Sequence, residues 1–195
     1  MGVEALKSDA DSRPVYTRAR EESGFGLLEL LMAMVMLNVG ILAIVAAFSS
    51  GNAALARASQ VSTATALANK QLESYRGLIY DNIVFTTSEW NAAIADSTYK
   101  ADTVYTSSMQ SPVAPKALVS TVTSCPTNVP STSCDPSYTV TGPDHRSYRV
   151  DTYLYYDAPS GGQLKAITVV VRPSSFLSRS LARVSSTFDA STNPA

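Results

Sequence analysis

The strongest constraint on this chain is an unbroken apolar run from Phe25 to Phe48, FGLLELLMAMVMLNVGILAIVAAF. Its polarity is interrupted only by Glu29, Asn38 and small glycines. At 1.5 Å rise per residue, a helix over this run reaches about 36 Å, enough to cross a hydrocarbon layer of roughly 30 Å. The run therefore predicts a transmembrane helix. A secretory signal peptide has a shorter apolar core behind a basic start and ends in a small-residue cleavage site. Here Ser49, Ser50, Gly51 and Asn52 follow, and a helical pattern continues past them, so removal after Ala47 is the weaker alternative.

Orientation follows from the flanking cations. Arg13, Arg18 and Arg20 precede the run, against Arg57 alone close to its other end. The positive-inside rule then keeps residues 1–24 in the cytoplasm and the remainder outside. That leader, MGVEALKSDADSRPVYTRAREESG, is polar, mixed in charge and without apolar periodicity, so it is expected to be disordered. Glu29 is the residue that separates a simple anchor from a working part. A carboxylate at the centre of a membrane helix costs about 2.5–3.5 kcal/mol on insertion scales, less near an end. Such a group implies a cationic partner at membrane depth, and an amino terminus created by cutting just before Phe25 is the obvious one. A carboxylate reaching for interfacial headgroups is the alternative.

With 195 residues the chain holds one modest globular domain plus the anchor. Its net charge of −1 argues against a broad electrostatic footprint for nucleic acid. Cys125 and Cys134 lie in TSCPTNVPSTSCDPS, and the chain has one His, so Cys and His within one subunit cannot supply a four-ligand metal site. A disulfide pinning this loop is the better reading and requires a compartment outside the cytoplasm; two separate small core residues are the alternative. No phosphate loop, nucleotide fingerprint or Gly-x-Ser-x-Gly elbow is present. His145, beside Gly142 and Pro143, reads as an exposed loop residue rather than part of a hydrolase triad, so neither enzyme activity nor a cofactor is expected.

Beyond the run, Ala54, Ala58, Val61, Thr65, Ala68, Leu72, Tyr75 and Ile79 recur in steps of four and three, one stripe of a continuing amphipathic helix that ends near Gly77 to Asp81. Its upper half is expected to pack on the globular domain, with Arg57, Gln60, Asn69, Lys70 and Glu73 on the opposite face. A short helix is expected over Ser88 to Ala95 with Ser88 as N-cap. Weak strand signals lie at Ala117 to Thr123 and Tyr138 to Thr141. Stronger ones follow at Tyr148 to Tyr156, which alternates as a half-buried strand does, and at Gln163 to Val171, with residues 157–162 as the hairpin loop. Pro173 stops that strand, and Ser180 to Phe188 supplies a final edge strand. Tyr148, Tyr153, Tyr155 and Tyr156 beside Arg146 and Arg149 could stack single-stranded DNA, but aromatics on a strand more often serve sheet packing. These elements make an α+β fold, one long helix packed on a small antiparallel sheet.

Residues 24–29, Gly-Phe-Gly-Leu-Leu-Glu, followed by the apolar run, resemble the class III signal of type IV prepilins. Gly26 stands where Thr or Ser is usual, and Glu21 and Glu22 where basic residues are more typical. ALANKQLESYRGLIYDNI further resembles minor pilins of the PilV type and the I and J pseudopilins of type II secretion, with Leu72, Glu73, Tyr75 and Arg76 at the helix ending. The resemblance implies a pilin-like fold divided into a leader (1–24), a transmembrane half-helix (25–50), an amphipathic half-helix (51–80) and an extracytoplasmic domain (81–195). It implies cleavage by prepilin peptidase after Gly24, methylation of Phe25, and pairing of Glu29 with a neighbouring subunit's amino terminus. The implied partners are that peptidase, other pilin or pseudopilin subunits, the assembly platform and the membrane. The implied location is a single-pass inner membrane protein that later enters a pilus or pseudopilus. A permanently anchored extracytoplasmic binding domain is the alternative.

Overall fold

The computed structural model describes residues 26–111, 116–157 and 164–191. Helix α1 runs without interruption over Leu27–Arg76. It contains no proline and stops where Gly77 follows, the Gly77 N–H still donating to the Glu73 carbonyl at 3.1 Å. The chain separates into two compact units, dividing between Ser49 and Ser50. The first unit's described part is the apolar half of α1, and every one of its residues from Gly26 to Ser49 is exposed.

The second unit is an α+β domain. Four strands, β1 (Ser137–Thr141), β2 (Ser147–Tyr156), β3 (Leu164–Pro173) and β4 (Ala182–Asp189), form an antiparallel sheet in the order β1-β2-β3-β4. The register pairs Tyr148 with Pro173 and Tyr156 with Lys165 across the long central hairpin, then Leu164 with Asp189. The loop of that hairpin, residues 158–163, lies outside the described residues. β1 pairs only with the first half of β2, from Ser147 to Asp151.

Strand alternation gives the sheet two faces. Tyr148, Val150 and Leu154 of β2, with Ile167, Val169 and Val171 of β3, share a core with Ala64, Ala68, Leu72 and Tyr75 of α1. The small Ala64 and Ala68 let the helix lie close to the sheet. Gly142, which opens the β1–β2 turn, meets α1 the same way: a Cβ there would fall 2.8 Å from the Thr63 methyl and 2.8 Å from the Tyr148 ring. On the other face Tyr153, Tyr155, Ala166 and Val170 are covered by Ala93, Tyr99 and Tyr105. These come from α2 (Thr87–Ala95), α3 (Ser97–Lys100) and a π-helical turn (Tyr105–Met109).

Several sequence expectations change in detail. β2 is not half-buried, because α2, α3 and the π-turn cover the face that α1 leaves open. The buried face of α1 starts at Thr63 and takes in Ala64 and Gln71, whereas Ala54, Ala58 and Val61 of the expected stripe are exposed. The sheet packs on the upper turns from Thr63 on, so among the described residues the lower small residues are left exposed. α2 starts at Thr87, and its N-cap is Thr86 rather than Ser88. The Ala117–Thr123 segment makes isolated bridges, Leu118 with Tyr155 and Val122 with Thr86, instead of a strand. It meets the half of β2 that β1 leaves free at one point only, where the Tyr156 N–H donates to the Ala117 carbonyl at 2.8 Å.

Candidate functional site

The apolar half of α1 presents the first candidate site. Its start is built by Gly26, whose carbonyl accepts from the Glu29 and Leu30 N–H groups at 2.9 and 3.1 Å. Glu29 thus sits in the first turn, where the unpaired N–H groups of a helix favour a negative charge. Its carboxylate is exposed and makes no ion pair among the described residues. Around it the helix offers side chains in every direction, with Leu27 80% and Phe48 71% exposed. A helix apolar all round belongs in a lipid or protein interior, and this one is long and apolar enough to cross a membrane. Gly24 and Phe25 lie outside the described residues.

The upper half of α1 is held by a different device. Cys125 and Cys134 form a disulfide with Cα atoms 5.8 Å apart, and its loop ends in the short helix α4 (Ser131–Cys134). Gln71 Nε2 donates to the Thr132 carbonyl at 2.9 Å, the Tyr75 hydroxyl donates to the Ser133 carbonyl at 2.8 Å, and Ser74 and Ser133 share a hydroxyl hydrogen bond of 2.8 Å. Tyr138 of β1 donates to Gln71 Oε1 at 2.9 Å. The disulfide loop is therefore a strap fastened to three positions near the end of the helix, Gln71, Ser74 and Tyr75. Sequence reading found the cysteines but not the helix residues that receive their loop, because Gln71 and Ser74 look like ordinary surface positions.

A chain of alternating charges runs along the second face of the sheet. Asp96 receives Arg149 Nη1 at 2.6 Å, and Arg149 Nε reaches Asp151 at 2.7 Å. Asp151 also binds Arg172, Arg172 binds Asp102, and Arg183 closes the series with two 2.9 Å bonds to Asp102. Three carboxylates and three guanidiniums thus neutralise one another, with Asp151, Asp102 and Arg172 buried. Burial pushes the Asp102 carboxyl up, but hydrogen bonds from Arg183 and the Val104 N–H, with Arg172 nearby, hold it below the usual carboxylate range. Asp96 behaves likewise: Arg149 and the Thr98 N–H outweigh its desolvation. A signal for this network was present in the strand order, since Arg149, Asp151, Tyr153 and Tyr155 alternate onto one face. Two charges on a strand face read as solvent exposure until a covering layer is known.

Other polar groups are accounted for locally. Lys165 is buried, donating to the Tyr80 and Ile83 carbonyls at 2.7 and 3.1 Å with its ammonium 4.1 Å from the centre of the Tyr80 ring. Burial pulls its pKa down to about 8. His145 is exposed in the β1–β2 turn at φ 59°, its ring nitrogen 3.1 Å from the Pro143 carbonyl. The stacking surface considered for single-stranded DNA is not assembled: Tyr148, Tyr153 and Tyr155 are buried, and Arg149 is bound to Asp96 and Asp151. Among the described residues no group of three His, Cys, Asp or Glu side chains is placed to hold a metal ion. No family model, no curated protein and no solved structure matches this chain.

Proposed function

We propose that this protein is an accessory subunit of a type IV pilus or a related pseudopilus, inserted in a membrane through the apolar half of α1 and then drawn into a filament core. The observation that carries the reading is the combination of Gly24-Phe25 with Glu29 at the head of a helix whose apolar half is exposed all round. A carboxylate there is unfavourable for a plain anchor. It becomes useful when a neighbouring subunit brings an amino terminus to it. Prepilin peptidase would cut after Gly24 and methylate Phe25, with the leader in the cytoplasm and the domain outside. The disulfide supports the outside location, because such bonds persist in oxidising compartments. The domain would sit at the filament surface or tip, held to the core helix by the strap at Gln71 to Tyr75.

The test is intact mass and N-terminal sequencing of the protein from membranes of cells with and without prepilin peptidase. A form beginning at methylated Phe25 that depends on the peptidase is the expected outcome. An uncut amino terminus in both strains would overturn the reading and leave a permanently anchored extracytoplasmic binding domain.

A further inference from the structure

The two ends of the sheet carry complementary surfaces. At the end formed by the β1–β2 turn and the segment after β3 lies a half-open cavity of about 500 Å³, lined by Arg146, Arg179, Ser175, Phe176 and Leu181. A second cavity of about 480 Å³ also contains two arginines, Arg172 and Arg183, but these are neutralised by Asp102 and Asp151. The first is different. Arg179 makes no ion pair among the described residues, Arg146 meets only Asp144 there at 3.9 Å, and Phe176 is 62% exposed. Such a wall suits a carboxylate with an apolar group beside it.

The opposite end of the same domain offers that pair. Asp81 is exposed and its carboxylate makes no ion pair or hydrogen bond among the described residues, while Ile79, two positions earlier, is 40% exposed. Glu89, another exposed carboxylate without an ion pair there, shares a cavity wall with Asp96 and Asp135 and has no exposed large apolar neighbour. The bonds from Lys165 to the Tyr80 and Ile83 carbonyls fix the Ile79–Asp81 turn at the Lys165 end of β3. Pro173 is eight residues further along that strand, about 26 Å at the usual rise. The turn therefore cannot enter the cavity of its own chain.

We propose that the cavity receives the Ile79–Asp81 turn of a second copy of this chain, Asp81 between Arg146 and Arg179 and Ile79 against Phe176. The contact uses two different patches, so it propagates head to tail, and a rotation that does not close on itself makes of it a filament. It rests on the filament reading and adds a contact between globular domains to that of the apolar helices.

The experiment uses full-length protein in detergent, in two differently tagged preparations carrying Asn82→Cys and Ser175→Cys. Both native cysteines are occupied in the disulfide, so the introduced thiols are the reactive ones. On mild oxidation the two preparations are expected to link faster than Asn82→Cys links to a Ser120→Cys control on an unrelated loop. Arg179→Glu in the Ser175→Cys copy should slow linkage about tenfold, and Asp81→Arg in the other copy should restore it, since like charges at a contact are repulsive. Circular dichroism checks that each variant folds. Linkage no faster than the control, or indifferent to charge reversal, would overturn the proposal. Failure of the peptidase experiment with linkage intact would remove the filament reading alone.

Discussion

Lys165 is received by two backbone carbonyls and a ring face instead of a carboxylate, so the folded state holds its proton less tightly than the unfolded chain does. With a pKa near 8 in the fold against about 10.4 unfolded, the unfolded state binds more protons between those values, and stability must rise with pH there. Below pH 8 the penalty is fully present. Chemical denaturation followed by Trp90 fluorescence should therefore give higher stability at pH 9.5 than at pH 7.5, and Lys165→Met should flatten that rise. Near pH 10 the tyrosines begin to oppose it, because burial pushes Tyr138 up to about 12 and also holds Tyr148, beside Asp144, at about 12. Asp151 is the other decisive residue, fully buried between Arg149 and Arg172. Asp151→Asn leaves both guanidiniums short of a counter-charge in a dry site and should cost about 3–5 kcal/mol in the same denaturation experiment. On the acid side, the lowered Asp96 and Asp102 contribute stability above the ordinary carboxylate range that is lost as pH falls through their folded values.

Helix α1 is one element with two solvents. Up to Ser59 every described residue is exposed, and from Thr63 the buried positions cluster on the sheet side. Propensity alone cannot keep the upper turns against the sheet, since most helical stability in proteins comes from packing. The core of Ala64, Ala68, Leu72 and Tyr75 supplies that packing, and the disulfide strap adds direction to it. Cys134→Ser should lower stability by about 2–3 kcal/mol, the loop entropy of a short bridged segment. The loss is read as a lower denaturation midpoint that matches the reduced wild-type protein. The strap's bonds to Gln71, Ser74 and Tyr75 should also loosen, seen as faster amide exchange from Gln71 to Arg76 than in the oxidised protein.

At the scale of the whole molecule, the chain combines an exposed apolar helical segment with a domain closed on both sheet faces. On the proposed filament reading, assembly begins with that segment, and the open, cationic cavity lies at one end of the domain. In cells, Glu29→Ala should leave membrane insertion intact or slightly improved while blocking entry into filaments, measured as its loss from sheared filament fractions with membrane levels unchanged. A permanently anchored domain would show no such change.

The sequence alone determined the elements with strong local signals. The apolar run, the two cysteines in their polar loop, and the β-branched and aromatic strands at Tyr148–Tyr156 and Gln163–Val171 each follow from composition over a short window. The α+β arrangement followed from their order. What covers the sheet did not, because the segment from Thr87 to Met109 has weak periodicity and packs through single residues such as Tyr99 and Tyr105. Only the tertiary structure brought Asp96, Asp102, Asp151, Arg149, Arg172 and Arg183 into one series, from positions up to 87 residues apart. Charge pairing of that kind depends on which strand faces meet which loops, and no local pattern encodes it. The same holds for Lys165, whose place in a β-rich strand is legible while its burial is a property of the layer laid over it.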